Sequence, residues 1–420
     1  MNHTITSFGL ALLTCVSTTF ARETPVAALP MGARLAIVGD SITEQKLYSK
    51  FIETYLIASA GRQDVHCFQF GWSGEQASGF ASRVENDLAV FKPTAATLCY
   101  GMNDGHYVPY ADAIGAEYEK NMRSVLTKLQ AMGVKTIVTG APGAVDTKYF
   151  TRIEPAVYND NLAHLRDLDR KLSVEFHTAF GNVHDEMTTA MTKAKAALGA
   201  DYDVCGRDGV HPGPNGHLLM AAALLKGLGC DGDIGTLTVD MNGAAQASDG
   251  HKVTNSAAGQ ADFESTRWPF CFDGDSKSGT RSILPFCDFN QALNRLILQV
   301  NNLTTAKARV TWGGETLEFS KDQLAIGINL AAEFSKTPFD ADFNKFMAAV
   351  GTKQNYETPM IKGMITNFRN FAADIQTDPE FAAALQSLKT KLAAKQAALD
   401  TAARQLLVPV KHRITVQPVQ

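Results

Sequence analysis

The 420-residue chain has no long run of like charge: 39 Lys and Arg stand against 43 Asp and Glu, a formal net charge of −4. No single-signed surface follows, so nucleic acid is not an expected partner. The chain also lacks a Cys/His cluster at zinc-site spacing, a Gly-x-x-x-x-Gly-Lys-Ser/Thr phosphate loop and any internal repeat. A structural or catalytic zinc is not indicated. Nothing after residue 20 is apolar over a length that would span a bilayer, so no stable membrane span is expected. What is there is ordinary: 45% hydrophobic residues over a length sufficient for two to four domains, which excludes collagen-like, low-complexity and wholly disordered chains.

The apolar, charge-poor stretch from Ile5 to Phe20 is short for a span and rich in Ser and Thr. With small residues at Thr19 and Ala21 ahead of Arg22, it reads as a secretory signal over residues 1–21, which places the mature chain in the periplasm or the medium. Removing it takes Cys15 and leaves six cysteines, Cys67, Cys99, Cys205, Cys230, Cys271 and Cys287. An even number permits disulfides in an exported chain, and sequence proximity suggests Cys205 with Cys230 and Cys271 with Cys287. Cys99 lies inside an apolar run and reads as a buried thiol.

From Arg34 to Gly229, apolar runs alternate with helical periodicity. The runs begin at Leu35, Val65, Ala95 and Thr136 and are near-continuously apolar, as strands covered on both faces are. Leu47, Phe51, Tyr55 and Ala58 mark one intervening helix, and 154–176 and 217–228 read as two more. This alternation predicts an α/β fold, a parallel sheet between helical layers with its functional groups at the strands' carboxyl ends. Residues 233–330 read instead as a β-rich region, in which Ala308 to Phe319 form a hairpin turning at Gly313-Gly314. Residues 331–420 read as a helical region, with a helix start at Asp378-Pro379-Glu380 and a leucine stripe through Leu385, Leu388, Leu392, Leu399 and Leu406. Such a stripe packs on a neighbouring helix of the same chain or serves as a partner-binding element.

The apolar strand Ala36-Ile-Val ends in Gly39-Asp40-Ser41-Ile42 and enters a helix, which puts the Ser41 hydroxyl at a sheet's carboxyl edge. Gly274-Asp275-Ser276 repeats the tripeptide without a preceding strand and reads as a turn. A serine nucleophile needs a base, and the base needs an orienter. In Asp208-Gly-Val-His211 a carboxylate three residues before a histidine can turn back onto its Nδ1 and leave Nε2 facing the serine. His217 reads as structural, and His106 lacks a comparably placed acid. Donors for an oxyanion stand in Gly71-Trp72-Ser73-Gly74 and Gly101-Met102-Asn103-Asp104, each after a strand; either motif alone is equally a simple turn.

Together these four segments resemble the SGNH hydrolases, a subgroup of the GDSL esterase and lipase family. The resemblance covers residues 33–230 and departs from the family pattern at Gln69, where Asn is usual. It implies a flavodoxin-like three-layer sandwich without a cofactor, with Ser41 as nucleophile, His211 as base and acid, and Asp208 as its orienter. The oxyanion hole would be the N–H groups of Ser41 and Gly74 and the side-chain amide of Asn103.

The expected function is hydrolysis of a small ester or acylated carbohydrate, most simply removal of acetyl groups from a polysaccharide. A lipase or aryl-esterase and an O-acetyltransferase use the same residues. A silent binding or scaffold protein is the alternative of a different class. Trp72 and His106 are candidate substrate contacts, as are Tyr100 and Tyr107. Trp268, Phe270 and Trp312 would form either a carbohydrate-binding surface or a buttress, the latter favoured by their apolar surroundings.

Overall fold

A computed structural model describes residues 28–420; the candidate secretory signal lies outside the described residues. Five parallel strands form the first sheet: β1 (Arg34–Gly39), β2 (His66–Gln69), β3 (Ala95–Cys99), β4 (Thr136–Gly140) and β5 (Ala179–Gly181), in the order β2-β1-β3-β4-β5. This is the flavodoxin-like order. Alternate residues of β1 enter two different cores, Leu35 and Ile37 on one face and Ala36 and Val38 on the other. Covering both faces is why the strands read as unbroken apolar runs. The helix expected around Leu47 to Ala58 forms as Tyr48–Thr54 followed by a π-turn, Tyr55–Ser59; the other two run Pro155–Glu175 and Pro214–Gly227.

The region after Gly232 holds two further sheets. One runs β13-β10-β6-β7 and the other β12-β11-β14-β9-β8. Their strands are β6 (Asp233–Asp240), β7 (Ala245–Ala247), β8 (His251–Ala257), β9 (Gln260–Ser265), β10 (Arg295–Asn301), β11 (Lys307–Trp312), β12 (Glu315–Ser320), β13 (Ile328–Asn329) and β14 (Val410–Val419). The pairing is antiparallel except for β10 on β6, which is parallel. The hairpin turns at Gly313 and Gly314, with φ of 59° and 83°, values that glycine adopts without a Cβ penalty. Trp268, Phe270 and Trp312 are at most 2% exposed, so they buttress the interior and present no ligand surface. One apolar core runs without a break from Leu35 through these residues to Val416, so the β-rich region and the parallel sheet share an interior.

Two expectations need correction. Residues 331–420 are not wholly helical, because Val410–Val419 is a strand at the centre of the third sheet, paired with β9 and β11. Val410, His412, Ile414 and Val416 face inward at period two, and the partners that make this a strand are far away in sequence. The six cysteines are free thiols. A 14-residue helix, Pro214–Gly227, intervenes between Cys205 and Cys230, and its span of about 20 Å far exceeds disulfide reach. Cys271 Sγ instead contacts Thr337 Oγ1, and Cys287 Sγ lies against the Leu284 carbonyl.

The C-terminal helices pack on the parallel sheet. Asp378 caps Pro379–Arg404, and Leu385, Leu388 and Leu392 of that helix pack against the core beneath it, an intramolecular role for the stripe. The helix Asp340–Thr358 lies along β2, the sheet's edge. His66 and Phe70 donate their N–H groups to the β1 side, so the backbone groups of Cys67 and Gln69 point outward. Lys353 Nζ donates to the Cys67 carbonyl at 2.5 Å, and the Gln69 N–H donates to Glu357 Oε2 at 2.9 Å. Side chains one helical turn apart thus stand where another strand would add. Lys353 is also paired with Glu53 at 2.7 Å and Glu357 at 3.1 Å, and all three side chains are completely buried. Burial drives the Glu53 carboxyl up, to about 7, against the attraction of Lys353. Lys353→Met removes the cation and leaves two carboxylates without it, and is expected to destabilise the fold by about 3–5 kcal/mol in urea denaturation.

Candidate active site

Strands β1, β2 and β3 are adjacent and parallel, so the loops at their carboxyl ends meet at one edge of the sheet. Ser41 follows β1 as the first residue of a single helical turn, Ser41–Glu44. Asp40 caps that turn by accepting the Ile42 N–H at 2.9 Å. Its carboxyl is buried, and burial, with Asp104 and Glu75 nearby, raises it to about 7. Gly39 is required here: a Cβ would stand 2.6 Å from the Cys99 carbonyl and 2.1 Å from Thr43 Oγ1.

Asp208 and His211 come from the loop that precedes the helix Pro214–Gly227. Asp208 Oδ2 accepts from His211 Nδ1 at 2.6 Å, while Oδ1 accepts the N–H groups of Val210 and His211 at 2.9 Å each. Burial opposes ionisation of Asp208, but these hydrogen bonds to its charged form outweigh it and hold the carboxyl below its ordinary value. With Nδ1–H donated to a carboxylate, Nε2 is the acceptor, and the Ser41 hydroxyl donates to it at 2.8 Å. A serine and a histidine 170 residues apart in sequence, with the aspartate beside the histidine, thus form one hydrogen-bonded chain. It is open to water, with the His211 side chain 34% exposed.

His217, buried behind the relay, accepts from the Tyr48 N–H through Nδ1 at 3.2 Å and donates through Nε2 to Gln45 Oε1 at 3.0 Å. Burial drives it down to about 3, so it is a neutral structural ring.

Gly74 and Asn103 reach the same edge from β2 and β3. Gly74 has φ +73° with no atom near a would-be Cβ, which leaves the backbone there open to approach. The Asn103 amide is held at both ends: Oδ1 accepts from Tyr107 OH at 3.0 Å, and Nδ2 donates to the Glu75 carbonyl at 3.1 Å, leaving its second N–H uncommitted. Asp104 ties the two loops together by accepting from the Ala77 N–H at 2.9 Å and the Gly101 N–H at 3.0 Å; burial lifts it to about 6. Gln69 donates its side-chain amide to the Thr43 carbonyl at 2.6 Å, so this departure from the family pattern fastens β2 to the Ser41 turn.

The aromatic candidates separate. Tyr100 is buried and donates to Glu75 Oε2 at 2.6 Å, which removes it as a ligand contact. Tyr107 has its ring beneath the Arg152 guanidinium, 3.8 Å away, and is engaged with Asn103. His106 is exposed, with φ +55°. Trp72 is half-buried and carries Arg83 and Lys362 over its ring at 5.0 and 4.8 Å. It lines a groove of about 340 Å³ that also touches Gly74, Gln76, Ser78, Ser82 and Arg369. A larger groove, about 580 Å³, lies between Asn182–Lys193 and Pro285–Gln291; Ser41, Asp208 and His211 line neither groove. Gly274-Asp275-Ser276 lies in a bend, as expected.

Several residues at the site are not evident from sequence. Glu75 is gripped by Arg83 through two 2.7 Å bonds, and from the C-terminal region Arg369 reaches the groove and Lys362 the Trp72 ring. Only the eight-residue separation of Glu75 and Arg83 was locally visible, and it carries no recognisable periodicity.

Residues 37–219 match the model of the GDSL-like Lipase/Acylhydrolase family. No curated protein matches the chain. Among solved structures, a gut microbial diltiazem-metabolizing enzyme is 20% identical, with a TM-score of 0.71 over 94% of this chain and all of that one. At that identity the likeness is one of fold, and it extends to the β-rich and C-terminal regions. An acetylxylan esterase from Geobacillus stearothermophilus is also 20% identical, with a TM-score of 0.40 over 48% of this chain and 96% of its own.

Gly206 has φ +77°, and a Cβ there would lie 1.9 Å from the His211 carbonyl oxygen. Gly206→Ala is therefore expected to displace the Asp208–His211 turn and slow labelling of Ser41 by a fluorophosphonate on the order of 100-fold, the scale of an ångström misplacement. The circular dichroism spectrum should be unaltered.

Proposed function

We propose, from the match of residues 37–219 to the GDSL-like Lipase/Acylhydrolase family, that this esterase removes small acyl groups, acetyl above all, from a carbohydrate through a Ser41 acyl-enzyme. The observation that carries the chemistry is the Ser41–His211–Asp208 relay, with contacts of 2.8 and 2.6 Å. As Ser41 Oγ bonds to the ester carbonyl carbon, its proton passes to His211 Nε2 and the carbonyl electron pair moves onto oxygen. The N–H groups of Ser41 and Gly74 and the free amide proton of Asn103 stabilise that oxyanion. Collapse breaks the bond to the alcohol, which leaves with the proton from Nε2. Water then adds to the acyl carbon, losing a proton to His211, and a second collapse frees the carboxylic acid and returns the proton to Ser41. Asp208 stays ionised throughout, holding the ring tautomer.

The choice of substrate rests on the groove beside Gly74. It is open and lined by the Ser73, Ser78 and Ser82 hydroxyls, the Gln76 amide, the Glu75 carboxylate and the Arg83 and Arg369 guanidinium groups around a single indole, whereas a long acyl chain needs a deep apolar pocket. Sugars bind surfaces of the former kind. Trp72 lines this groove, and it and the exposed His106 are the side chains we propose to touch the carbohydrate.

Ser41→Ala, His211→Ala and Asp208→Asn are each expected to lower kcat on the order of 1000-fold or more with folding intact, because a relay of this kind fails as a unit. The decisive assay is acetate release from a panel of acetylated polysaccharides beside acetyl, butyryl and long-chain aryl esters. Ser41-dependent acetate from a polysaccharide sustains the proposal. A preference for long acyl chains reassigns the chain to lipid-type esters, and product formation only with an added sugar acceptor reassigns it to acyl transfer. Ser276→Ala should be as active as the parent chain.

A further inference from the structure

The loop that carries Gly74 is braced from outside the catalytic half of the chain. Gly71 presses against the turn that starts at Ser41, since a Cβ on it would lie 2.3 Å from the Glu44 N and 2.6 Å from the Thr43 carbonyl carbon. Two residues on, Ser73 donates both its N–H and its hydroxyl to Glu44 Oε2, at 2.5 Å each. Glu44 is in turn gripped by Lys362 Nζ, at 2.8 Å to Oε1 and 2.9 Å to Oε2. Lys362 also lies 4.8 Å from the centre of the Trp72 ring, the residue before Ser73. It sits in the π-turn Pro359–Ile365 that follows the helix capping β2, 318 residues from Glu44 in sequence. One carboxylate thus joins the nucleophile's turn, the Gly74 loop and the C-terminal region.

Resting on the esterase reading above, we infer that Glu44 is a positioning residue for the oxyanion hole, with Lys362 as its anchor, so that the C-terminal region is part of the acyl-transfer unit. Ser73 immediately precedes the peptide N–H of Gly74. Fixing the Ser73 N–H and hydroxyl on one carboxylate oxygen therefore fixes where the Gly74 N–H points. The same carboxylate belongs to the turn that begins at Ser41, so both backbone donors are referred to one rigid point. The side chains of Glu44 and Lys362 bond to Ser73 and to each other, and not to the side chains of Ser41 or His211. Their effect falls on the tetrahedral state, which the Gly74 N–H stabilises, and not on the proton relay.

The test uses the full chain and an aryl acetate, with Ser41→Ala as reference. Glu44→Ala is expected to lower kcat about 10- to 100-fold, the range between partial and full loss of one oxyanion donor, with KM within threefold. Lys362→Met should shift kcat in the same direction by a smaller factor, and Lys362→Arg should recover most of it. The inhibition constant of an arylboronic acid, which forms a tetrahedral adduct on serine, should rise in Glu44→Ala by the factor by which kcat/KM falls, while the midpoint of the pH profile stays in place. If Glu44→Ala and Lys362→Met keep kcat within twofold, or if boronate affinity is unmoved while kcat falls, the inference is overturned. Should Glu44→Ala not fold, the comparison of Lys362→Met with Lys362→Arg decides by the same two readouts. Turnover that survives Ser41→Ala would instead defeat the esterase reading itself.

Discussion

An edge strand presents backbone donors and acceptors that must be satisfied by something, and in this protein the edge strand β2 leads directly into the loop beside the Ser41 turn. Lys353 and Glu357 answer that requirement by standing where a sixth strand would be. The arrangement is demanding, because it places an ammonium and two carboxylates in an interior from which water is excluded. It holds because nearly every polar atom has a partner: Gln354 and Gln396 donate to Glu53 and Glu357 at 2.8 Å each, and Ser49 donates to Gln354 at 2.8 Å. Lys353 stands 2.7 Å from Glu53 Oε1, although the pair is not aligned as a hydrogen bond. Everything downstream of Gln69, from Gly71 to the Glu75–Arg83 fork, inherits its position from that seam.

The relay itself needs little from this frame, since Asp208 and His211 are set by their own tight turn and by Gly206 and Gly209. The oxyanion side is the converse. Besides the Ser41 N–H, its proposed donors lie on two loops that touch through Asp104 and through Asn103 on the Glu75 carbonyl, and those loops are in turn held by side chains arriving from elsewhere. The Ser41–His211–Asp208 geometry is thus a local property of the fold, whereas the placing of Gly74 and Asn103 depends on long-range packing.

That division also explains what could be read in the sequence. The parallel sheet was legible because two-sided burial writes itself as apolar runs, and Ser41, Asp208 and His211 because a turn needs Gly and Asp at fixed spacing. β5 was invisible, being three residues long. β14 carries the right alternation at Val410, His412, Ile414 and Val416, but its partners at Phe263 and Val310 are distant, and the leucine stripe before Pro409 suggested helix up to the end. The disulfide expectation failed because closeness in sequence says nothing about a helix lying between. Glu44 and Lys362 are charged residues without a motif, and only the folded chain brings them together.

The place of β14 has a bearing on synthesis. Its Ser265–His412 contact joins positions 147 residues apart, and the strand sits between β9 and β11 at the middle of its sheet. β14 is synthesised after all four strands it shares a sheet with, so the third sheet stays split into two hairpins until it emerges, while the five parallel strands have long since emerged. Folding of such a chain is ordered by topology, with local helices and the early sheet first and the slow, distant pairing last. Until that strand inserts, Trp312 and Phe263 have no complete interior to enter. The nascent protein then exposes apolar surface in its second half even when its catalytic half is already formed, and that interval is where a chaperone would be needed most.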